Sequence, residues 1–257
     1  MELWEVIFLG IVQGITEFLP VSSSGHLVIL ETVLGGNLEN LELNVALHFG
    51  TLLSILVVYR RDLIPVLFDL KLMTAIIVAT IPVVVTGLLL KSQFEAASSD
   101  AIYAGFGLLV TAGLLILTPK IDHGSRELKE IRLKDALVIG LFQAIAPMPG
   151  ISRSGSTIVG ALLMGVKRPA AANLSFFIAI PALLGATILT AKDLLEEGSS
   201  GTSLTVVSVG TLTAFIVGIF SLKLLLKLVA AGKIAWFGVY CLLLGITVIL
   251  CSLTEIL

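Results

Sequence analysis

Two short polar segments carry the residues of this chain best suited to chemistry. The first, QGITEFLPVSSSGHLVI over residues 13–29, holds Gln13, Glu17, Ser22, Ser23, Ser24, Gly25 and His26. The second, QAIAPMPGISRSGSTIV over residues 143–159, holds Ser152, Arg153, Ser154, Gly155 and Thr157. A serine hydroxyl becomes a nucleophile when a neighbour takes its proton, and histidine exchanges a proton near neutral pH. Ser23 and His26 are three residues apart, which makes them surface neighbours if a helix starts near Ser22. They are the expected catalytic pair: either Ser23 attacks with His26 as base, or His26 attacks through a phosphohistidine. Glu17 follows Gln13 by four residues, so both lie on one helical face and could bind a metal through a carboxylate and an amide oxygen. The guanidinium fork of Arg153 matches phosphate oxygens. Ser22, Ser24, Ser152 and Ser154 read as caps and lining for an anion site, and Gly25, Gly155 and Thr157 as its close-approach and binding positions.

Each of these groups also has a purely structural reading. Glu17 could hold hairpin backbone, Arg153 could pair with Glu17, and His26 could be a buried, hydrogen-bonded ring. His48 lies mid-span, where it could approach the site, but the structural reading is preferred; His123, in the charged linker, reads as solvated.

The surroundings weigh against the structural readings. The chain has 257 residues, 57% of them hydrophobic and only 13% charged, against about a quarter charged in soluble domains. Mean hydropathy is +1.08. Six runs of about 20 apolar residues, long enough to span a bilayer, read as Glu42 to Tyr59, Leu72 to Leu90, Ala101 to Thr118, Ala171 to Ala191, Leu204 to Leu222 and Ile234 to Leu253. The two polar segments lie inside otherwise apolar sequence and are broken by Pro20 and by Pro147, Pro149 and Gly150. Backbone that leaves a helix at membrane depth survives only when buried in protein or lining a wet cavity. A carboxylate or guanidinium at that depth is costly and usually functional.

The segments also align with each other. At an offset of 130, Gly10/Gly140, Gln13/Gln143, Ile15/Ile145, Ser22/Ser152, Ser24/Ser154 and Gly25/Gly155 are identical, where composition alone gives roughly one or two matches. An internal duplication follows, with one repeat over about 1–119, a second over about 131–257 and a charged linker at 120–130. Each repeat is one broken segment followed by three spans. Because three is odd, two re-entrant hairpins would place the repeats in opposite orientation, with the hairpin tips meeting near the midplane. The expected fold is an all-α integral membrane protein of six transmembrane helices plus two re-entrant helical hairpins.

If the six spans alternate sides, thirteen of the sixteen Lys and Arg residues fall on one side. Lys91 and Lys192 lie opposite, and Arg153 lies inside a hairpin. The positive-inside rule makes the basic side cytoplasmic. Both termini and the cavity are then expected on the outer face of the membrane. MELWEVIF lacks a basic n-region and no small-residue cleavage site follows it, so this segment is expected to be retained. Cys241 and Cys251 share the last span too far apart to bridge and read as apolar filling.

EFLPVSSSGHL at 17–27 and PGISRSGST at 149–157 resemble the two signatures of bacterial undecaprenyl-diphosphate phosphatase, an integral-membrane family linked to bacitracin resistance. Length, signature separation and number of spans agree over essentially the whole chain. The resemblance implies hydrolysis of undecaprenyl diphosphate to the monophosphate carrier used in cell-wall synthesis, assisted by a divalent cation such as Mg2+ or Ca2+. It places Ser23, His26, Glu17 and Arg153 in the reaction and Gln13 with Glu17 at the metal. The family carries Glu or Gln at position 13; Gln here weakens any two-carboxylate metal site. The implied partners are a polyprenyl diphosphate and membrane lipids, not nucleic acid, and a homodimer is compatible with the chain. The rival reading is a transporter or flippase for a polyprenyl phosphate lipid, since inverted repeats with broken helices are also a transporter architecture.

Overall fold

A computed structural model describes residues 2–34, 41–121, 124–197 and 201–254. Glu39, His123 and the loop around Ser199 lie outside the described residues. Those described are all-helical apart from turns and a single isolated bridge between Arg126 and Val166. The first half holds α1 (Leu3–Thr16), α2 (Ser23–Leu34), α3 (Leu41–Val58), α4 (Leu63–Phe68), α5 (Leu70–Leu89), α6 (Lys91–Ser98), α7 (Ala101–Ile116) and α8 (Thr118–Ile121). The second holds α9 (Leu133–Ala144), α10 (Arg153–Leu163), α11 (Arg168–Glu197), α12 (Leu204–Ala230) and α13 (Ala235–Leu253).

Six helices are long and apolar enough to cross a membrane: α3, α5, α7 with its α8 extension, α11, α12 and α13. All six expected runs are therefore helices, with shifted ends. α11 starts at Arg168 rather than Ala171, and α12 continues past Leu222 through Lys223 and Lys227 to Ala230. Lysine is a good helix former, and its apolar stem can lie along the helix while the ammonium reaches the interface, so hydropathy underestimates such ends. The short helices α4 and α6 are too brief and mixed to show as spans.

The two halves hold each other. α1 packs against α12, α9 against α5, α3 against α12, and α7 against α13. Small residues permit the close approach: a Cβ on Gly10 would come within 2.8 Å of Thr213 on α12, and one on Gly140 within 2.6 Å of the Ala79 carbonyl on α5. The breaks are held in matched fashion. Thr111 on α7 donates to the Gly150 carbonyl at 2.8 Å, and Cys241 on α13 lies 3.8 Å from the Pro20 carbonyl. Thr111 and Cys241 are 130 residues apart, as are Pro20 and Gly150. Cys241 thus does more than fill space.

At one end of the bundle the linker is tied down by basic residues. Lys71 donates to the Lys129 carbonyl at 2.5 Å, Arg126 pairs with the buried Asp135 and donates to the Met164 carbonyl, and Lys167 pairs with Glu127. Lys91, at the start of α6, pairs with Asp193 near the end of α11 at 2.7 Å, remote from this cluster.

Candidate active site

α1 ends where its sequence requires it. Glu17 caps the helix, its N–H bonding the Gln13 carbonyl at 2.9 Å, and Pro20 three residues later can neither donate to a helix nor let Leu19 settle in helical geometry. The chain turns through Val21 to Ser22, which adopts φ 69, a strained value for a residue with a Cβ. Ser22 then accepts the Gly25 N–H at 3.2 Å, and α2 begins at Ser23. The second hairpin reproduces this ending without the strain: Gly150 carries the positive φ of 84, and Ser152 accepts the Gly155 N–H at 3.1 Å to start α10 at Arg153. Both loops also share a serine pair, Ser22 with Ser24 at 3.3 Å and Ser152 with Ser154 at 3.2 Å.

The two breaks abut reciprocally. A Cβ on Gly25 would fall 2.7 Å from the Gly150 Cα, and one on Gly155 would fall 3.3 Å from the Pro20 Cβ. Hence each hairpin's glycine seats on the other's break, and two helix starts converge. Between them lies a cavity of about 230 Å³ lined by Glu17, Ser22, Ser23, Ser24, Ser152 and Arg153, among others.

The polar groups in it are paired in one particular way. Ser23 donates its hydroxyl to Glu17 Oε2 at 2.7 Å, and the Gln13 amide reaches the same oxygen at 3.2 Å. Arg153 Nη2 donates to Glu17 Oε1 at 2.8 Å across 136 residues of sequence. Both Glu17 oxygens are thus engaged. Arg153 Nη1 is buried and has no partner, leaving half of the fork unspent. An unpaired buried guanidinium donor is costly, and an anion entering the cavity would satisfy it. The salt bridge therefore does not exhaust the arginine: one nitrogen serves Glu17 and the other has no partner.

Ser23 and His26 are not brought together. His26 Nδ1 lies 2.7 Å from the Ser22 carbonyl, which makes it the protonated nitrogen, and Nε2 lies 2.7 Å from the Tyr240 hydroxyl on α13. The two rings stack with centroids 5.7 Å apart. His26 is absent from the cavity lining, because three residues along a helix carry a side chain about 60° round from the first. His48 on α3, by contrast, lines the cavity, with Nδ1 3.0 Å from the Asn44 carbonyl. Its mid-span position allows that approach, whereas nothing in the sequence singles out the half-exposed Tyr240.

Ser154, Gly155 and Thr157 lie behind the lining. Thr157 is fully buried and spends its hydroxyl on the Arg153 carbonyl and on Ser175 of α11, at 2.6 Å. Gly25 is buried at the hairpin contact. Asn173 accepts from Tyr59 at 3.0 Å and ties α11 to the chain just past the end of α3.

Among the described residues no three of His, Cys, Asp and Glu gather as a metal site. A magnesium ion carried with a phosphate needs only one or two protein carboxylates. Beside Glu17, the Gln13 Oε1 atom is buried without a partner, a spare oxygen where such an ion would sit. The donor set fits a hard cation shared with a phosphate.

An all-helical bundle of six candidate spans, with a carboxylate, a guanidinium and two serine-capped helix starts around one cavity, defines a polytopic membrane protein with a polar centre. The chain matches the family described as Bacitracin resistance protein BacA over residues 6–247, and it belongs to that family. It is 46% identical over 254 residues to "Undecaprenyl-diphosphatase" of Rhodopirellula baltica, covering 98% of this chain and 99% of the relative. Identity is 42% to the protein of that name from Halothermothrix orenii, covering 97% and 98%. It is 38% to "Undecaprenyl-diphosphatase 3" of Bacillus cereus, covering the whole of both.

Proposed function

We propose that this chain hydrolyses undecaprenyl diphosphate to undecaprenyl phosphate and inorganic phosphate within a bacterial plasma membrane, returning the lipid carrier to cell-wall synthesis. Family membership and near full-length relatives of that name support the reading. The observation that carries it is the Ser23–Glu17–Arg153 cluster: a hydroxyl already donating to a buried carboxylate, beside a guanidinium with a spare donor. Binding alone needs no activated hydroxyl.

In this reading the diphosphate enters with its terminal phosphoryl group over Ser23. Arg153 and the N–H groups at the starts of α2 and α10 hold the non-bridging oxygens. As the anion takes the arginine fork, Glu17 is free to accept the Ser23 proton. Ser23 Oγ forms the new bond to the terminal phosphorus, the bond from phosphorus to the bridging oxygen breaks, and undecaprenyl phosphate leaves. Glu17 passes that proton to the departing phosphate oxygen and, ionised again, takes one from the water that attacks the phosphoserine phosphorus; the bond from phosphorus to Ser23 Oγ breaks, Ser23 Oγ regains the proton from Glu17, and inorganic phosphate leaves. Glu17 and Gln13 are the residues that would hold a divalent ion, Mg2+ or Ca2+, which when bound neutralises charge developing on the phosphoryl oxygens. His26, bonded to Tyr240, orders the first hairpin against α13 in this scheme.

The reading includes re-entrant hairpins in an inverted repeat, supported by the reciprocal glycine contacts and the Thr111–Gly150 and Cys241–Pro20 pairs. It also places both termini and the cavity on the outer face, supported by the basic cluster at the linker end. The experiment is phosphate release from a polyprenyl diphosphate by purified protein in detergent, with and without chelator. Release with no second compartment present is expected; retained lipid binding without release would favour transport.

A further inference from the structure

A second cavity, of about 610 Å³, adjoins the first. The two share Val83, Pro147, Ala182 and Ala186 in their walls, so the two spaces meet along these residues. It runs between α5 and α11, walled mainly by apolar side chains such as Val84, Leu88, Ile188 and Leu189. Leu88 and Ile188 are each 61% exposed, so the path leads out toward the surroundings of the bundle rather than ending in its core. At the end bearing Lys91, Glu95 and Lys192, the Lys91–Asp193 pair ties α6 to α11 across the gap. The way in is therefore lateral and apolar.

The internal duplication makes this gap conspicuous. α5 and α11 correspond at the 130-residue offset to α12 and α3. That corresponding pair is closed: Ser54 donates to the Phe215 carbonyl at 2.8 Å, Thr211 donates to the Ala46 carbonyl at 3.1 Å, and a Cβ on Gly50 would lie 2.4 Å from the Thr211 carbonyl. In the α5–α11 gap the two lining glycines face open space, and a Cβ on Gly87 or Gly185 would meet nothing within 4 Å. Each helix also carries an interior proline next to the shared wall, Pro82 before Val83 and Pro181 before Ala182. Interior proline removes a backbone bond and is a usual cause of a kink, which keeps two helices from packing along their full length.

We propose that this gap is the path of the substrate's polyprenyl chain: the first isoprene units lie between α5 and α11 while the diphosphate reaches Arg153, and Gly87 and Gly185 set its width. The inference rests on the phosphatase reading above. The occupant follows from adjacency, since a molecule with an anionic head in the first cavity and an apolar body must place that body in the apolar space adjoining it. Glycine at both positions leaves room for a methyl-branched chain that any larger side chain would fill.

The test uses full-length protein in detergent with farnesyl diphosphate as the probe. Gly87→Phe and Gly185→Phe are each expected to raise KM about tenfold with kcat held within about twofold, the size of effect that lost apolar contact produces. Gly113→Phe, at an exposed glycine of α7 that also has open space around it and lines neither cavity, is the control and keeps wild-type kinetics. Melting temperature and elution volume show whether each variant is folded. A farnesyl diphosphate analogue bearing a diazirine on its second isoprene unit is expected to crosslink wild type on α5 and α11. Crosslinks on other helices, or folded Gly87→Phe and Gly185→Phe proteins with wild-type KM, would overturn the path while leaving the phosphatase standing. Wild type that releases no phosphate from any polyprenyl diphosphate would instead overturn the phosphatase, and the crosslink positions would still decide the path.

Discussion

The Ser23 hydroxyl donates to Glu17 Oε2 at 2.7 Å, although the two residues stand on opposite sides of a chain reversal at Pro20. His26, on the same helix as Ser23, is committed to Tyr240 instead. This geometry assigns the proton of Ser23 to the carboxylate. Ser23→Ala and Glu17→Gln should each abolish phosphate release, whereas Tyr240→Phe, which removes only the bond to His26, should keep kcat/KM within about tenfold with the shape of its pH profile unchanged. Rapid quenching of wild type should trap an acid-stable phosphoserine. An acid-labile phosphohistidine, or a Tyr240→Phe protein as silent as Ser23→Ala, would return His26 to the reaction.

Arg153 spends one nitrogen on Glu17 and leaves the other unpaired in the cavity wall. A lysine at that position keeps the charge but offers one point of contact instead of a fork. Arg153→Lys should therefore lose roughly 100-fold in kcat/KM while retaining the wild-type melting temperature within a few degrees, the scale seen when one oxyanion donor is removed. Near-normal turnover would reduce Arg153 to a counter-ion for Glu17.

Gly25 seats on Gly150 so closely that a methyl group would lie 2.7 Å from backbone of the other hairpin. Neither backbone can rotate away as a side chain could. Gly25→Ala should cost about 1–3 kcal/mol, as overpacked sites do, lower the melting temperature in detergent, and reduce turnover because the two helix starts move apart. An alanine variant with wild-type melting and turnover would mean that the hairpins do not meet as described.

The basic linker cluster gives a direct test of orientation. In intact cells a cysteine at Glu196, which is exposed near the end of α11, should react with an impermeant thiol reagent, and one at Ser125 in the linker should not. The reverse labelling pattern would put the cavity on the cytoplasmic side.

Six spans, two proline-broken polar segments and their 130-residue repetition are determined by the sequence alone, because hydropathy, helix breaking and duplication are local or periodic properties of the chain. The candidate chemistry was legible for a related reason: a carboxylate and a guanidinium in an apolar stretch are too costly to be incidental. What the chain could not reveal is which of those groups meet. Spacing made Ser23 and His26 neighbours, yet their directions round α2 differ enough that one faces Glu17 and the other Tyr240, 214 residues away. Thr157 and Ser154 fell in the signature and turned out to lie behind the wall, while His48, in an unremarkable apolar run, lines it. The α5–α11 gap is hidden altogether at the level of sequence, since a glycine that admits a neighbouring helix and a glycine that faces empty space are the same letter. Long-range packing decides between them, because only the assembled bundle fixes which surfaces close on each other and which are left apart for a ligand.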